Sequence, residues 1–113
     1  SMGGFGAMRL GIKHSHMFRA ISSVAGGPFQ ETFTDVAEKN ESLQIKIFKE
    51  VFSNDMDYFV EQSPRNIVQL YGPQVAPTFK IRQIIGTKDF SFGHNRDFHE
   101  YLISKDIAIR YYE

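Results

Sequence analysis

The order of elements in the last third of the chain narrows the fold most. FKIRQIIGTKD at residues 79–89 is a β-branched run that closes on a glycine, HNRDFHEYLISKD at 94–106 has helical character, and IAIRYYE at 107–113 starts a further strand. Strand, helix, strand is the pattern of parallel strands joined by a crossover helix. The same pattern can be traced upstream. Residues 3–14 read as a helix with a glycine-rich start suited to packing close to a neighbouring backbone, and FRAISSVAGG at 18–27 reads as a buried strand ended by glycines. The expected class is therefore α/β, with about three parallel strands and crossover helices covering the sheet.

The middle third, residues 30–71, is polar and helical in character. VAEKNESLQIKIFKEVF carries Leu43, Ile47 and Val51, with Ile45, Phe48 and Phe52 beside them, so one helix face is apolar and the other charged. Asn54, Asp55 and Asp57 read as a loop. Ser63 before Pro64 reads as a cap with proline in the first turn, opening a short helix that ends at Gly72–Pro73.

Composition removes several functions. A chain of 113 residues, 42% hydrophobic, has room for one modest core and makes a second domain unexpected. Thirteen basic and thirteen acidic residues cancel, with no run of like charge, so neither a nucleic-acid face nor an anionic-membrane anchor is expected. The absence of cysteine excludes disulfides, a thiol nucleophile and thiolate metal sites, while leaving the compartment open. No apolar run approaches the roughly 20 residues of a membrane helix, and the amino end lacks a signal-peptide profile. A cytoplasmic location is the default expectation, with secretion left open because residues could precede Ser1. Three strands are few for a parallel sheet, which suggests a domain truncated at both ends.

The sequence S-M-G-G, Ser1 to Gly4, stands directly before the first helix. It matches the second half of the nucleophile elbow G-x-S-x-G, in which a strained strand-to-helix turn exposes a serine hydroxyl and the next backbone N–H faces the substrate oxyanion. The alternative for Ser1 is an ordinary helix cap. Asp89 follows a strand ending in glycine, on the loop rim where parallel-sheet proteins place their chemistry, and here the alternative is a cap on the next helix.

SMGGFGAMRLGIKHSHMFRAISSVAG, together with IGTKDF and the HNRDFHEYL that follows, resembles the serine esterases of the esterase D type, α/β-hydrolases that include S-formylglutathione hydrolases and feruloyl and acetyl esterases. The likeness extends over nearly the whole chain and is loosest at residues 30–71. It implies a partial α/β-hydrolase fold, the carboxyl-terminal half of the sheet, spanning residues 1–113. It also implies that Ser1 is the nucleophile, Met2 an oxyanion N–H donor and Asp89 the triad acid. A small-molecule ester would be the substrate, and no metal or organic cofactor would be needed.

The triad histidine of that family follows the strand represented by IAIRYYE, and this chain ends at Glu113. His14 and His16 stand roughly 20 Å along the first helix from Ser1. His94 lies nearer the rim and leaves a rearranged base open, although surface and packing roles suit both His94 and His99. Neither His14 with His16 nor His94 with His99 has a third metal ligand at a recognised spacing. Ser22, Ser23, Phe29 and Phe33 lie near the rim, where backbone satisfaction and core packing compete with pocket lining. The alternative to an esterase is a catalytically inactive fragment that associates with itself or with the missing half through bare sheet edges and apolar faces.

Overall fold

Strand order fixes the layering of the molecule. The computed structural model describes residues 2–30 and 41–113. Its elements run α1 (Met2–Lys13), β1 (Ala20–Val24), α2 (Glu41–Phe52), α3 (Met56–Gln62), α4 (Pro64–Tyr71), β2 (Lys80–Ile84), α5 (Phe92–Ser104) and β3 (Arg110–Tyr112), with short 3-10 turns at Ser15–Met17 and Gly72–Gln74. The three strands form one parallel sheet in the order β1-β2-β3, so the described residues make a mixed α/β domain with five α-helices. With strands in sequential order, right-handed crossovers put every connecting helix on the same face.

Burial follows that layering. On β2, Ile81 and Gln83 are buried while Lys80 and Arg82 are exposed, the alternation of a strand with one covered face. Helix α1 buries Gly4, Phe5, Met8, Gly11 and Ile12, a single stripe, and this stripe meets β1. A Cβ at Gly4 would stand 2.5 Å from the Cα of Gly26, and one at Gly11 would overlap the Ile21 side chain. The glycine-rich helix therefore does pack close to backbone at Gly4, while Gly11 makes room for the Ile21 side chain. Gly3 is exposed, and a Cβ at Gly6 would meet open space. Because Gly4 lies against Gly26 and Gly11 against Ile21, α1 runs antiparallel to β1 and starts at the carboxyl end of the strands.

Aromatic pairs fill the space between helices and sheet. Phe29 stacks on Phe98 with ring centres 4.5 Å apart, and Phe52 meets Phe5 and Phe59 edge-on at 5.9 and 4.9 Å. Phe29 is thus a core residue, whereas Phe33 lies outside the described residues.

Three expectations change. Among the described residues the sheet is covered on one face only: Ala20, Ser22, Val24, Lys80, Arg82, Arg110 and Tyr112 are exposed. A groove of about 530 Å³ passes along this face between Ser22, Lys80, Arg82 and Arg110. Strand β1 is shorter than the apolar run that encodes it. Ala25 takes a left-handed φ of 49°, which ends the strand, and Phe18 and Val24 are exposed at the sheet edge rather than buried. Asp57 belongs to α3, whose N-cap is Asp55, the side chain of which accepts the Tyr58 N–H at 3.0 Å. The turn before it is made by Ser53 and Asn54, both with left-handed φ. The Ser63 cap is as expected: its Oγ accepts the Arg65 N–H at 3.2 Å, and Pro64 occupies the first turn of α4. Among the described residues no helix is long and apolar enough to cross a membrane.

Candidate site at the carboxyl rim of the sheet

Two helix starts and one loop meet where the parallel strands end. Helix α1 begins there with Met2, which is partly exposed, while Ser1 lies outside the described residues. Asp89 sits on the loop after β2 and is half-buried. Its Oδ1 accepts two hydrogen bonds from Ser91, one from the backbone N–H at 2.9 Å and one from the hydroxyl at 2.7 Å. These two donors, the backbone one first, hold the Asp89 carboxyl below the ordinary aspartate value of 3.8, against the opposing effect of burial. The carboxylate is charged and fixed in orientation at neutral pH. Its geometry is an Asx turn leading into α5, close to the capping alternative, and such a turn leaves the aspartate at the rim.

Behind Asp89 a buried polar network ties the rim together. Asn95, fully buried in the second turn of α5, donates through Nδ2 to the Gly26 carbonyl at 2.9 Å and to Ser91 O and Oγ at 3.1 and 3.3 Å. Gln83, fully buried on β2, donates through Nε2 to Asn95 O and Oδ1, both at 2.9 Å. A buried amide with this many partners locks its surroundings, because any shift leaves a polar group unpaired in a dry interior. Gly26 is also the residue against which Gly4 packs. One continuous set of contacts therefore joins the start of α1, the end of β1 and the Asp89 loop.

Two further polar atoms at this rim have no hydrogen-bond partner among the described residues: Ser23 Oγ, wedged between Gly4 and Gly26, and Gln83 Oε1. Ser23 is fully buried and does not satisfy the strand end. Ser22 faces the open side of the sheet, where its Oγ accepts the Arg82 Nε–H at 3.0 Å.

The histidines are dispersed. His14 and His16 pair edge-on with ring centres 6.2 Å apart beyond the last turn of α1, at the opposite end of that helix from the rim. His99 lies flat on Tyr111 of β3, with ring centres 4.2 Å apart and planes 11° from parallel, a packing role. His94 is half-buried in the first turn of α5. Among the described residues no group of three or more His, Asp or Glu could hold a metal ion.

Beside His99, Tyr111 donates its hydroxyl to Glu113 at 2.9 Å, and Arg96 forms a two-pronged pair with Glu113 at 2.8 Å on both oxygens. Burial first, then the Glu113 hydrogen bond, pushes Tyr111 up to about 12. Hydrogen bonding from Arg96 pulls Glu113 down to about 2.

Gln83, Asn95 and Ser91 were not singled out by sequence reasoning, although two of them carried a signal. Gln83 shares the strand parity of Ile81 and Ile85, and Asn95 shares the helical stripe of Phe98 and Leu102. A polar side chain on a buried stripe has to be hydrogen-bonded. Comparison of the sequence with models of protein families and with curated proteins finds no match.

Proposed function

We propose that residues 1–113 form the nucleophile-and-acid part of a serine carboxylic-ester hydrolase of the esterase D type, within an α/β-hydrolase arrangement. One observation supports this reading above the others. Contacts from Gly4 through Gly26, Asn95 and Ser91 to Asp89 hold the start of α1 and a charged, oriented carboxylate at the same carboxyl rim of a parallel sheet. Chemistry in open parallel sheets belongs at that rim.

In this reading the Ser1 hydroxyl attacks the ester carbonyl carbon while a histidine takes its proton. The Met2 N–H stabilises the oxyanion that forms. Collapse expels the alcohol, which regains the proton from the histidine, and water repeats the sequence to release the acid. Asp89 orients the histidine and stabilises its charged form. His14, His16 and His99 are occupied elsewhere in the fold, so the base is either His94 or a histidine beyond these residues.

The test is covalent. The folded chain is exposed to a fluorophosphonate, and the modified residue is located by intact and peptide mass spectrometry. Modification at Ser1, abolished in Ser1→Ala and slowed by about tenfold or more in Asp89→Asn, is the expected result. A folded chain of confirmed mass that takes up no label would rule out a working site made by Ser1, Asp89 and His94 within residues 1–113.

A further inference from the structure

On the outside of the helical layer, Arg65 and Lys105 lie against the same aromatic ring. The Arg65 guanidinium carbon is 4.9 Å from the centre of Tyr101, and the Lys105 ammonium nitrogen is 5.6 Å from it. Both cations line a groove of about 240 Å³ between the first turn of α4 and the end of α5, with Ser63, Asn66 and Gln69 as polar neighbours. The arrangement is held from behind. Arg65 donates Nε–H to the Phe29 carbonyl at 3.2 Å, and the Tyr101 hydroxyl donates to the Arg65 carbonyl at 3.2 Å.

No carboxylate among the described residues reaches either cation at ion-pair distance. Glu61 and Asp106, their acidic neighbours in sequence, take no part in lining the groove. Two like charges gathered on one ring, with no counter-charge among the described residues, repel each other, and an anion entering between them removes that repulsion. With its Nε tied to Phe29, the guanidinium keeps its terminal N–H groups to offer as a fork, and the flexible ammonium supplies a second point of charge.

The geometry points to a binding site for a dianionic phosphate group in this groove, held by Arg65 and Lys105. Two positive charges, one anchored through the Phe29 carbonyl and one on a flexible stem, match the roughly −1.5 to −2 charge of a phosphate monoester near pH 7, whereas a carboxylate leaves one of them uncompensated. The site stands apart from the carboxyl rim and does not depend on the esterase reading.

The experiment is a titration of the full 113-residue chain by amide and arginine Nε–H NMR at pH 7 and constant ionic strength. Inorganic phosphate, phenyl phosphate and acetate serve as separate probes. The expected result is saturable movement of the Arg65 and Lys105 signals with both phosphates, on the order of millimolar affinity, and at least about fivefold weaker binding of acetate. Phenyl phosphate binding more tightly than the free ion identifies an organic monoester as the ligand, and equal binding identifies phosphate itself. Lys105 is exposed, so Lys105→Gln should fold and bind about five- to tenfold more weakly, with Lys105→Arg restoring affinity. Lys80→Gln, on the open sheet face, should leave binding unchanged. Non-saturating shifts, acetate binding as well as phosphate, or Lys105→Gln binding like the parent would each overturn the assignment.

Discussion

The two faces of the sheet use the same three strands and meet opposite fates. Inward along β2 point Ile81 and Gln83, both buried under the helices, while outward point Lys80 and Arg82, both in the open. Across the strands the outward residues align in rows, Ser22 with Arg82 with Arg110, and Val24 with Ile84 with Tyr112. The contrast teaches that connection order decided which face is covered. Sequential strands joined by right-handed crossovers place all their helices together, whatever the outward side chains are. Fully buried parallel strands read as near-continuous apolar runs. On β2 the charged residues Lys80 and Arg82 fall on the outward parity only, and the polar Gln83 on the inward parity is buried against Asn95.

The largest effect should come from removing a side chain where helix and sheet layers meet. Phe98 is fully buried and stacked on Phe29. Phe98→Ala deletes the ring and leaves a cavity that α5 cannot close while Asn95, one turn earlier, is anchored to Gly26 and Ser91. A loss of about 3–5 kcal/mol is expected from urea denaturation at constant m-value. A loss below about 1 kcal/mol would mean that the covered face is not packed as described and would erase the contrast between the faces.

Much of this layering was legible in the sequence. The alternation of helix and strand, the parallel pairing, the Ser63–Pro64 helix start and the close packing of the first glycine-rich helix follow from residue patterns that local physics reads directly. Strand order was not legible, because nothing in a strand's composition says which neighbour it takes, and one bare face follows from that order. The length of β1 was overestimated because FRAISSVAGG holds no glycine or proline before its closing glycines, yet the chain turns at Ala25 through a left-handed conformation that alanine does not advertise. At the candidate site, Asp89 could be picked out by its place after a glycine-ended strand. The Gln83–Asn95 network behind it was hidden, since each amide looks like an ordinary polar residue until strand parity and helical period are combined.

The rim offers a subtler contrast, between a carboxylate held by the fold and carboxylates free in water. Asp89 titrates below the ordinary aspartate range because Ser91 donates to it twice. A carboxyl depressed in the folded state stabilises the protein above its unfolded value and loses that contribution as pH falls through its folded value. Ser91→Ala removes the hydroxyl donor and keeps the backbone one. The Asp89 side-chain carbon, followed by NMR, should therefore titrate higher than in the parent and still below 3.8, with a smaller stability change between neutral and acid pH. An unchanged Asp89 midpoint would show that the hydroxyl does not hold the carboxylate in solution.

The smallest effect belongs to the open face, where it is most diagnostic. Val24 is 56% exposed at the edge strand, and Arg82 makes a side-chain hydrogen bond to Ser22 on the solvent side. Val24→Ser removes apolar surface that is already in contact with water, and Arg82→Gln gives up one exposed bond. Each should shift the urea midpoint by no more than about 0.5 kcal/mol in equivalent stability. The same kinds of change at Ile81 or Gln83 would strike the covered face. If Val24→Ser instead costs more than about 1 kcal/mol, and the loss grows with protein concentration, the outward rows are buried between chains in solution. The difference between the two faces would then lie in which molecule covers each, and no longer in whether it is covered.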